Sequence, residues 1–445
     1  MPRKKVTMYS KNRSIIISLC LTIVLVSCSL SFLQPSTVAQ SEDATLKKYE
    51  VNNAFTGDLR HTIRIDNPTL YTVEDLKLFV PLIRNETARH YATLSNISSS
   101  IGQPKIIKDN AENIYAYWDN ITLNAKQNLS VDINYYLLSF DTSYSINSSL
   151  PENYDKNSDL YRRYTQPEPL IESDDPGIIS KAQSITTSSS TKLEEASKIY
   201  NFVISQVRYA VQDEERGALW ALENRTGDCS EYSYLFVALC RASGIPARIQ
   251  AGFAFYSTTE TTEDGHMWAE YYLENYGWVP VDPTWQQFNA LDFKHFSSMQ
   301  SIPETTPYAN YFFNDTSDAE LVDNQTVAFK PCSPSVFGNN SFAENTVKAV
   351  QKINQAKSSL LIGKTVGISW VFPSETENAE NTLSESKLIL QNMLEQLDQT
   401  NVNTCLEKAE ESNRTAWSAV LKTLALYVSV IAVVMLIAAV FLIRH

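Results

Sequence analysis

Hydrophobic and polar residues alternate along two stretches of the segment 45–147, and this alternation predicts β-strands. Asn67-Pro68 and the run 101–104 supply turn residues between such stretches. Each strand then has one apolar side, and two sheets can bury these sides against each other. We therefore expect a β-sandwich over residues 45–147. The alternating apolar positions are Val73, Leu76, Leu78, Val80 and Leu82, then Val131, Ile133, Tyr135 and Leu137.

A change of pattern after residue 147 predicts two further segments. Residues 148–190 are rich in Ser, Pro, Asp and Thr, which is typical of an extended linker. Thr191 and Glu194 then have the spacing of a capping box, which predicts the start of a helix. We place a second domain, which carries the candidate chemistry described below, over residues 191–300.

The segment 301–420 combines two patterns. Pro and Asn are frequent over its first forty residues, which predicts irregular structure, whereas helical periodicity returns over 342–361 and 383–420. In the second helical run Leu390, Leu394 and Leu397 fall on one side. We expect an irregular and helical stalk that leads towards the C-terminus.

The C-terminal pattern predicts a transmembrane helix over 421–443. The run Leu424 to Ile443 carries no charged residue, and its length matches the hydrocarbon layer of a bilayer. Arg444 and His445 follow it, so the positive-inside tendency places the C-terminus in the cytoplasm. We expect a single-pass cell-membrane protein with the bulk of the chain extracytoplasmic.

The N-terminal segment 1–39 predicts a signal peptide or an N-terminal anchor. A basic stretch precedes the largely apolar run 15–33, and small residues around Ala39 resemble a cleavage site. The run Leu25 to Cys28 also resembles a bacterial lipoprotein box. Cleavage, an uncleaved anchor and lipidation remain three alternatives.

Composition and charge exclude some classes of function. The 445 residues are 43% hydrophobic and 20% charged, so a packed core is expected rather than wholesale disorder. Without the six basic residues at the two ends, the chain has 31 basic and 50 acidic residues. This excess of negative charge argues against a nucleic-acid partner. Ten Asn-x-Ser/Thr sites in the middle segment fit a surface glycoprotein.

Four cysteines lie outside the N-terminal segment: Cys229, Cys240, Cys332 and Cys405. An extracytoplasmic location permits disulfide bonds. Cys332 and Cys405 flank the helix-rich stretch, and we take them as the candidate pair.

The run 225–248 places Cys229 where a nucleophile is expected. Gly227 and Asp228 predict a turn, a helical pattern begins at Cys229, and Gly244 has the position of a C-terminal cap. At the first turn of a helix, free backbone N–H groups and the helix dipole favour a thiolate. Cys240 falls on the apolar stripe of the same helix and is interpreted as a core residue.

A thiolate nucleophile needs a base and a group that orients the base. Two aromatic-rich runs, 265–273 and 277–285, flank a short turn and predict a β-hairpin. Folding about residues 274–276 brings His266 opposite residue 282 or 284, so His266 and Asp282 can meet. His295 is nearby but shows no such partner in the sequence, and we favour it less as the catalytic histidine.

These motifs resemble the transglutaminase-like superfamily, which has a papain-related core. The resemblance covers about 195–300 and is carried by Gly-Asp-Cys-Ser-Glu at 227–231, Ala-Ser-Gly-Ile-Pro-Ala-Arg at 242–248, His-Met-Trp-Ala-Glu at 266–270 and Gly-Trp-Val-Pro-Val-Asp-Pro-Thr-Trp at 277–285. It implies a catalytic triad of Cys229, His266 and Asp282. It also implies an α+β domain whose cysteine helix packs on an antiparallel sheet, here preceded by the β-sandwich and followed by the stalk and the transmembrane helix.

The resemblance further implies a group that stabilises the oxyanion upstream of the cysteine. Tyr209 and Trp220 are candidates, together with the backbone N–H of Cys229. Trp268 and Trp285 are interpreted as walls of the site. We interpret Arg248 and Glu270 as buried structural partners.

The expected chemistry is acyl transfer or hydrolysis at an amide bond through a cysteine thioester. The triad does not distinguish the two, because both share the first half-reaction. The alternatives are a cysteine protease or amidase of the same fold and a non-catalytic surface scaffold or adhesion protein. We expect protein or peptide substrates of the cell envelope, membrane contact through the C-terminal helix, and neither a cofactor nor a metal.

Overall fold

A computed structural model describes residues 46–150, 153–300, 308–314, 320–337 and 341–443. The predicted signal peptide or anchor over 1–39 lies outside the described residues. The strands within these ranges are β1 (Tyr49–Asp66), β2 (Val73–Pro81), β3 (His90–Ser99), β4 (Lys105–Lys108), β5 (Ile114–Leu123), β6 (Asn128–Tyr144), β7 (Arg208–Tyr209), β8 (Thr226–Gly227), β9 (Ala247–Ala254), β10 (Glu260–Thr262), β11 (His266–Leu273), β12 (Gly277–Asp282), β13 (Gln287–Phe288), β14 (Ala290–Leu291), β15 (His295–Gln300), β16 (Phe312–Asn314) and β17 (Val322–Pro331). The helices are α1 (Asp159–Tyr164), α2 (Pro176–Thr186), α3 (Lys192–Gln206), α4 (Gly217–Asn224), α5 (Cys229–Ala242), α6 (Phe342–Val366), α7 (Ile368–Val371), α8 (Pro373–Gln396) and α9 (Val402–Ile443).

Two antiparallel sheets share one hydrophobic core and form a β-sandwich. One sheet has the order β10-β17-β1-β6-β14, with β3 also paired to β6, and the other has the order β16-β2-β5-β4. Leu59 and Ile63 of β1 and Leu78 and Val80 of β2 are fully buried in this core. The alternating apolar residues therefore lie on one side of each strand, and that side is buried, as predicted.

The sandwich extends beyond 45–147, since later segments add strands to it. The prediction of irregular structure over 301–340 is wrong for β16 and β17. β17 pairs with β1 along ten residues, and of these it buries Val327 and Phe329. A ten-residue run with only two core residues gives a weak signal, and its partner strand lies far away in the sequence.

The segment predicted as an extended linker instead contains α1 and α2. Asp175 caps α2, because its side chain accepts hydrogen bonds from the backbone N–H groups of Gly177 and Ile178 at 2.7 and 3.3 Å. Ile178 and Ala182 are buried, and α2 contacts α3 and α5. The second domain therefore begins before residue 191.

The α+β core combines α5 with a five-stranded antiparallel sheet of order β13-β12-β11-β9-β15, which confirms the predicted fold class. Ser233 of α5 donates a hydrogen bond to the Met267 carbonyl at 3.2 Å. The sheet also joins the sandwich, because Phe253, Phe255 and Phe296 belong to the sandwich's hydrophobic core. The core sheet thus contacts the cysteine helix and the sandwich together.

A buried ionic cluster connects the sandwich to the core. Glu270 of β11 accepts from Arg89, which follows β2, at 2.6 Å and from Arg248 of β9 at 2.6 and 2.7 Å. Burial alone would raise the pKa of Glu270, but the two arginines outweigh it and lower the pKa to about 2. The guanidinium of Arg248 also lies 4.2 Å from the centre of the Trp278 ring. The interpretation of Arg248 and Glu270 as buried partners agrees with these contacts.

α6, α8 and the first half of α9 form a three-helix bundle that packs on the sandwich. The bundle shares a hydrophobic cluster with Tyr49, Val51, Leu138 and Phe140, so it is more than a projecting stalk. The buried residues of α9 recur at spacings of three and four, as in a coiled-coil seam. They include Val402, Cys405, Ala409, Ser412, Ala416, Ala419 and Thr423.

Two detailed predictions for this region are wrong. Leu397 is the C-cap residue of α8 and is 56% exposed, so it leaves the stripe of Leu390 and Leu394. Cys332 and Cys405 are free thiols. The backbone N–H of Cys332 bonds to Thr56 on the sandwich at 2.9 Å, whereas the Cys405 thiol is buried in the bundle and donates to the Ser386 carbonyl at 3.4 Å.

α9 continues beyond the bundle as a candidate membrane-spanning helix. Thr423 is the last buried residue of α9, and the uncharged run begins at the next residue, Leu424. The most apolar window of the helix has a mean hydropathy of 3.0 and none of it is buried. Such a surface needs an apolar environment, and a bilayer provides one of the right thickness.

We predict that Glu270→Ala lowers the free energy of unfolding by about 3–5 kcal/mol, because it leaves Arg89 and Arg248 buried without their shared charge partner. Urea unfolding of the detergent-solubilised chain measures this change. Glu274→Ala, at an exposed position in the β11–β12 turn, is the matched control and should change the value by less than about 0.5 kcal/mol. Equal effects of the two substitutions would contradict a structural role for the cluster.

Candidate active site

Cys229 is the first residue of α5, and a capping box fixes the start of that helix. The Asp228 side chain accepts from the N–H of Ser230 at 3.1 Å, and the Glu231 side chain accepts from the N–H of Asp228 at 2.9 Å. Gly227 allows this turn to close, because a Cβ there would lie 2.3 Å from Cβ of Glu231. The half-buried Cys229 is therefore held at a defined helix tip.

Tyr209 lies beside this tip. β7 and β8 form a short parallel pair that places Tyr209 against Gly227, two residues before the cysteine. Burial raises the pKa of the Tyr209 hydroxyl to about 12, and the nearby charge of Cys229 adds to the effect. Tyr209 is still 54% exposed, so its ring lies at the surface near Cys229.

The predicted hairpin of β11 and β12 is confirmed. Leu273 pairs with Gly277 and Ala269 with Val281. Continuing this register places Asp282 opposite residue 268, diagonal to His266 on the same side of the hairpin. His266 Nε2 lies 2.7 Å from Asp282 Oδ2.

The structure also brings His266 to Cys229. The Cys229 side chain lies close enough to the His266 ring to raise its pKa. Because Nε2 of that ring bonds to Asp282, Nδ1 is the ring nitrogen that remains for the sulfur. Both side chains line one cavity of about 200 Å³, whose other lining residues include Glu215, Tyr308 and Asn310. The three residues predicted as a triad thus lie at one site, with Cys229 and His266 on the same cavity and His266 bonded to Asp282.

Asp282 is fully buried and accepts hydrogen bonds from several donors. Its Oδ1 accepts from the backbone N–H groups of Thr284 and Trp285 at 2.8 and 2.9 Å. Its Oδ2 accepts from His266 and also from His295 Nε2 at 3.1 Å. Burial alone would raise the pKa of Asp282, but the two histidines lower it, so the carboxylate remains ionised.

The charge on Asp282 acts in turn on His266. Burial disfavours the charged ring, but the Asp282 carboxylate and the Cys229 side chain favour it, and the pKa of His266 rises to about 9. A histidine that keeps its proton beside a cysteine favours the thiolate–imidazolium pair. The arrangement therefore supports a nucleophilic sulfur with an adjacent proton donor.

His295 belongs to the same network, which the sequence did not indicate. Its Nδ1 lies 2.9 Å from Asp292 Oδ1, while its Nε2 faces Asp282. Burial opposes the charge, yet the two carboxylates raise the pKa of His295 to about 9. The expectation that His295 lacks a carboxylate partner is wrong. Asp292, three residues earlier in the chain, was the available signal.

The tryptophans occupy different positions around the site. Trp285 covers His266 with its ring centre 4.9 Å away, and it stacks on Tyr256 at 4.7 Å. Trp268 is 1% exposed and lies behind the histidines, 6.1 Å from His266 and 5.2 Å from His295. Trp220 lies on α4 and is not among the residues that line the cavity. Of the predicted oxyanion or wall residues, Tyr209, Trp268 and Trp285 are thus near the triad.

His266, Asp282 and His295 also form a group with the residue types of a metal site, since their ligand atoms lie within 4.8 Å of one another. Both imidazole Nε2 atoms, however, approach the same carboxylate oxygen at 2.7 and 3.1 Å. These separations are shorter than the roughly 3.3 Å between ligands held at zinc distances. The geometry is that of a hydrogen-bonded network.

Comparison with known proteins agrees with this geometry. The model of the transglutaminase-like superfamily matches residues 179–283. This segment belongs to the transglutaminase-like superfamily. The match begins inside α2 and ends one residue after Asp282, so it includes Cys229, His266 and Asp282.

Two curated relatives match parts of the same region. A protein-glutamine gamma-glutamyltransferase of Pseudomonas aeruginosa is 35% identical over 71 residues, or 14% of this chain and 11% of the relative. The uncharacterized protein YebA of Bacillus subtilis is 28% identical over 99 residues, or 20% of this chain and 13% of the relative. The chain thus spans only about an eighth of the length of these relatives.

Solved structures show more distant likeness. A candidate cysteine protease of Cytophaga hutchinsonii has a TM-score of 0.49 and 15% identity, covering 64% of this chain and 93% of that one. The periplasmic domain of TgpA from Pseudomonas aeruginosa, bound to ethylmercury, has a TM-score of 0.28 and 16% identity, covering 54% and 91%. Because both TM-scores are below 0.5, the family assignment rests on the sequence match.

We predict that the unfolding free energy falls on the alkaline side of neutrality because of the two histidines. Their folded-state pKa values of about 9 exceed the unfolded value of about 6.5. The stabilisation is therefore complete below pH 6.5 and is lost as the pH rises through 9, by up to about 3 kcal/mol for each histidine, since one pKa unit corresponds to about 1.4 kcal/mol. Urea unfolding at a series of pH values measures it. The double variant His266→Gln/His295→Gln should show a flatter profile, and an identical slope in both proteins would refute this origin.

Proposed function

We propose that the chain is an extracytoplasmic, membrane-anchored thiol enzyme that forms an acyl-thioester on Cys229 from an amide substrate. The observation that carries the proposal is that Cys229, at a helix tip, lines one cavity with His266, whose ring is held by Asp282 at 2.7 Å. The transglutaminase-like core supports a cysteine enzyme, and a half-buried cysteine at the rim of a cavity is accessible to a substrate carbonyl.

The first half-reaction follows from the geometry. The Cys229 thiolate attacks the amide carbonyl, and a sulfur–carbon bond forms while negative charge develops on the carbonyl oxygen. The Cys229 backbone N–H, which at the first helical position has no preceding helical carbonyl to bond, is available for this oxygen. When the carbon–nitrogen bond breaks, His266 Nδ1 gives its proton to the leaving amine. Asp282 keeps the ring oriented through Nε2.

The second half-reaction decides the class of enzyme. A primary amine that attacks the thioester gives a new amide, and water gives a carboxylic acid. We favour amine transfer from protein carboxamides, because the curated relative with the stronger match carries the name of a glutamyltransferase. Hydrolysis by a protease or amidase and a scaffold without activity are the alternatives.

The proposed location rests on α9. The exposed apolar half of this helix supports anchoring in a bilayer. Arg444 and His445, which lie outside the described residues, favour a cytoplasmic C-terminus by the positive-inside tendency. The acidic middle segment and its glycosylation sequons are compatible with a location outside the cytoplasm.

We predict that iodoacetamide at pH 7 labels Cys229 at least about tenfold faster than Cys332, because His266 lies beside the Cys229 sulfur and an adjacent imidazole activates a cysteine nucleophile. Burial raises the pKa of the Cys332 thiol to about 11, which makes it a matched internal control. Peptide mass spectrometry of the labelled chain measures both rates. Cys229→Ser should abolish the fast labelling, whereas Cys332→Ser should preserve it.

The same variants determine the fate of the acyl group. The solubilised chain is incubated with envelope proteins and a labelled primary amine. Incorporation that is lost in Cys229→Ser and kept in Cys332→Ser supports transfer. New chain termini without incorporation would assign a protease. Slow labelling of Cys229 with neither product would favour the scaffold.

A further inference from the structure

The loop between α6 and α8 carries an exposed tryptophan at the end of the helical bundle. Trp370 lies on α7 and is 92% exposed. Residues 365–374 around it contain no charged side chain and include Val366, Ile368, Val371 and Phe372. An uncharged, aromatic loop tip is unusual on a surface that faces only water.

This tip lies beside the point where α9 becomes apolar on all sides. Ile368 packs on Ala419 and Val420 of α9. The Tyr427 hydroxyl donates a hydrogen bond to the Val366 carbonyl at 2.9 Å. Tyr427 is the fourth residue of the uncharged run that begins at Leu424, so the tip contacts a residue of that run.

The backbone of the tip is suited to a medium with few hydrogen-bonding partners. The N–H groups of Trp370 and Val371 bond to the Gly367 carbonyl at 3.0 and 3.2 Å, and the N–H of Phe372 bonds to the Ile368 carbonyl at 2.7 Å. Satisfied backbone groups are a condition for insertion into a bilayer. Two lysines flank the tip, Lys364 paired with Glu380 at 2.6 Å and Lys422 paired with Glu375 at 3.5 Å, and their long side chains can extend towards the headgroups.

We propose that the α6–α8 loop inserts Trp370 into the interface of the same bilayer that α9 crosses. Lipid is the occupant that this surface fits, because the tip continues the apolar surface of α9 and Trp and Tyr prefer the bilayer interface. The loop and α9 then give the bundle two attachment points in the membrane. This inference rests on the proposed membrane anchoring, and it is independent of the chemistry at Cys229.

Fluorescence quenching by brominated lipids tests the contact. The full chain is assembled into nanodiscs with and without phosphatidylcholine brominated in the acyl chain, and Trp370→Phe is compared with wild type. Because Trp370 would be the tryptophan in the interface, the substitution should reduce bromine-dependent quenching at least about twofold. Trp417→Phe is the matched control: Trp417 is 41% exposed and lies about 10 Å before Leu424 along α9, so quenching should persist.

The outcomes separate this inference from the proposed anchoring. Quenching that is unchanged by Trp370→Phe in chains that co-elute with nanodiscs overturns the loop contact alone. A chain that fails to co-elute with nanodiscs overturns the anchoring and the loop contact together.

A different observation concerns His295, whose two ring nitrogens both face carboxylates. Asp282 of β12 lies at 3.1 Å and Asp292 at 2.9 Å, and ionised carboxylates only accept hydrogen bonds. His295 therefore needs a proton on each nitrogen to satisfy both contacts. The ring is fully buried, and its centre lies 5.6 Å from that of His266 on β11.

Aromatic rings and a few charged groups surround the His295 ring. The rings of Trp268 and Trp285 lie against it, with centres 5.2 and 4.9 Å away. Lys294 lies 3.5 Å from Asp292, and Asp141 of β6 accepts from the Phe293 N–H at 3.0 Å. On β9, the residue paired with His295 is Ala254, which carries no charge.

We infer that His295 is a positioning residue that stays cationic, fixes Asp282 and makes His266 a weaker base than Asp282 alone would make it. The reason is that one carboxylate oxygen shares its negative charge between two imidazoles. This inference deepens the proposed function, because it concerns the proton that His266 gives to the leaving amine. Removing the His295 charge leaves Asp282 to His266 alone, so His266 should bind its proton more tightly.

Histidine titration by NMR tests this inference without a substrate. In His295→Gln the pKa of His266 should rise by at least about one unit, a tenfold change in proton affinity. His61→Gln removes another buried histidine, one that bonds to Gln325 of β17 at 2.9 Å; it is the control and should leave the pKa of His266 unchanged. An unchanged or lowered His266 pKa in His295→Gln overturns the inference, whether or not the chain proves to be an enzyme.

A second variant covers the case in which His295→Gln does not fold. Asp292→Asn removes one of the two carboxylates that face His295, so the pKa of His295 itself should fall by at least about one unit. An unchanged value would overturn the claim that the two carboxylates hold His295 in its charged form.

Discussion

The arrangement of the candidate site depends on the buried carboxylate of Asp282. A buried charge needs donors around it, and Asp282 obtains them from His266 on β11, from His295 at the start of β15 and from the backbone turn after β12. These contacts fix the ring that faces Cys229. The position of the sulfur is fixed separately, by the capping box of α5. The site is therefore the meeting point of a sheet and a helix tip, each stabilised by its own hydrogen bonds.

The sandwich supports this site and is not an independent appendage. Asp141 of β6 holds the Phe293 N–H at 3.0 Å, next to the loop of Asp292 and His295, and β14 pairs with β6. On the β11–β12 hairpin itself, Glu270 connects to Arg89 of the sandwich. Two buried carboxylates of the hairpin, Glu270 and Asp282, thus connect it to the sandwich and to the candidate site.

The sequence allowed prediction of those parts of the site that depend on local structure. Cys229 follows from a helix start, and His266 with Asp282 follows from one hairpin whose turn fixes the register. The role of His295 was not predicted, because β15 pairs with the edge of β9 opposite β11. The contact of His295 with Asp282 therefore depends on non-local strand pairing. The same reason explains why β17, which pairs with β1 across more than 250 residues, was missed. α1 and α2 were missed because polar residues dominate their sequence and only a few side chains are buried.

The packing of the bundle has a consequence for how the proposed enzyme would meet its substrates. The seam of small residues in α9 runs to Thr423 without interruption, and α6 and α9 belong to a cluster that includes the sandwich residues Tyr49 and Phe140. The apolar half of α9 therefore continues directly from a helix packed against the folded body, without a flexible tether between them. In the proposed membrane arrangement, the direction of this helix sets the orientation of the body as well as its distance from the bilayer. Substrates would then have to approach Cys229 from a fixed side, and this favours proteins held in or near the same envelope over freely diffusing ones, because a shared surface restricts relative orientation and lowers the entropic cost of the encounter.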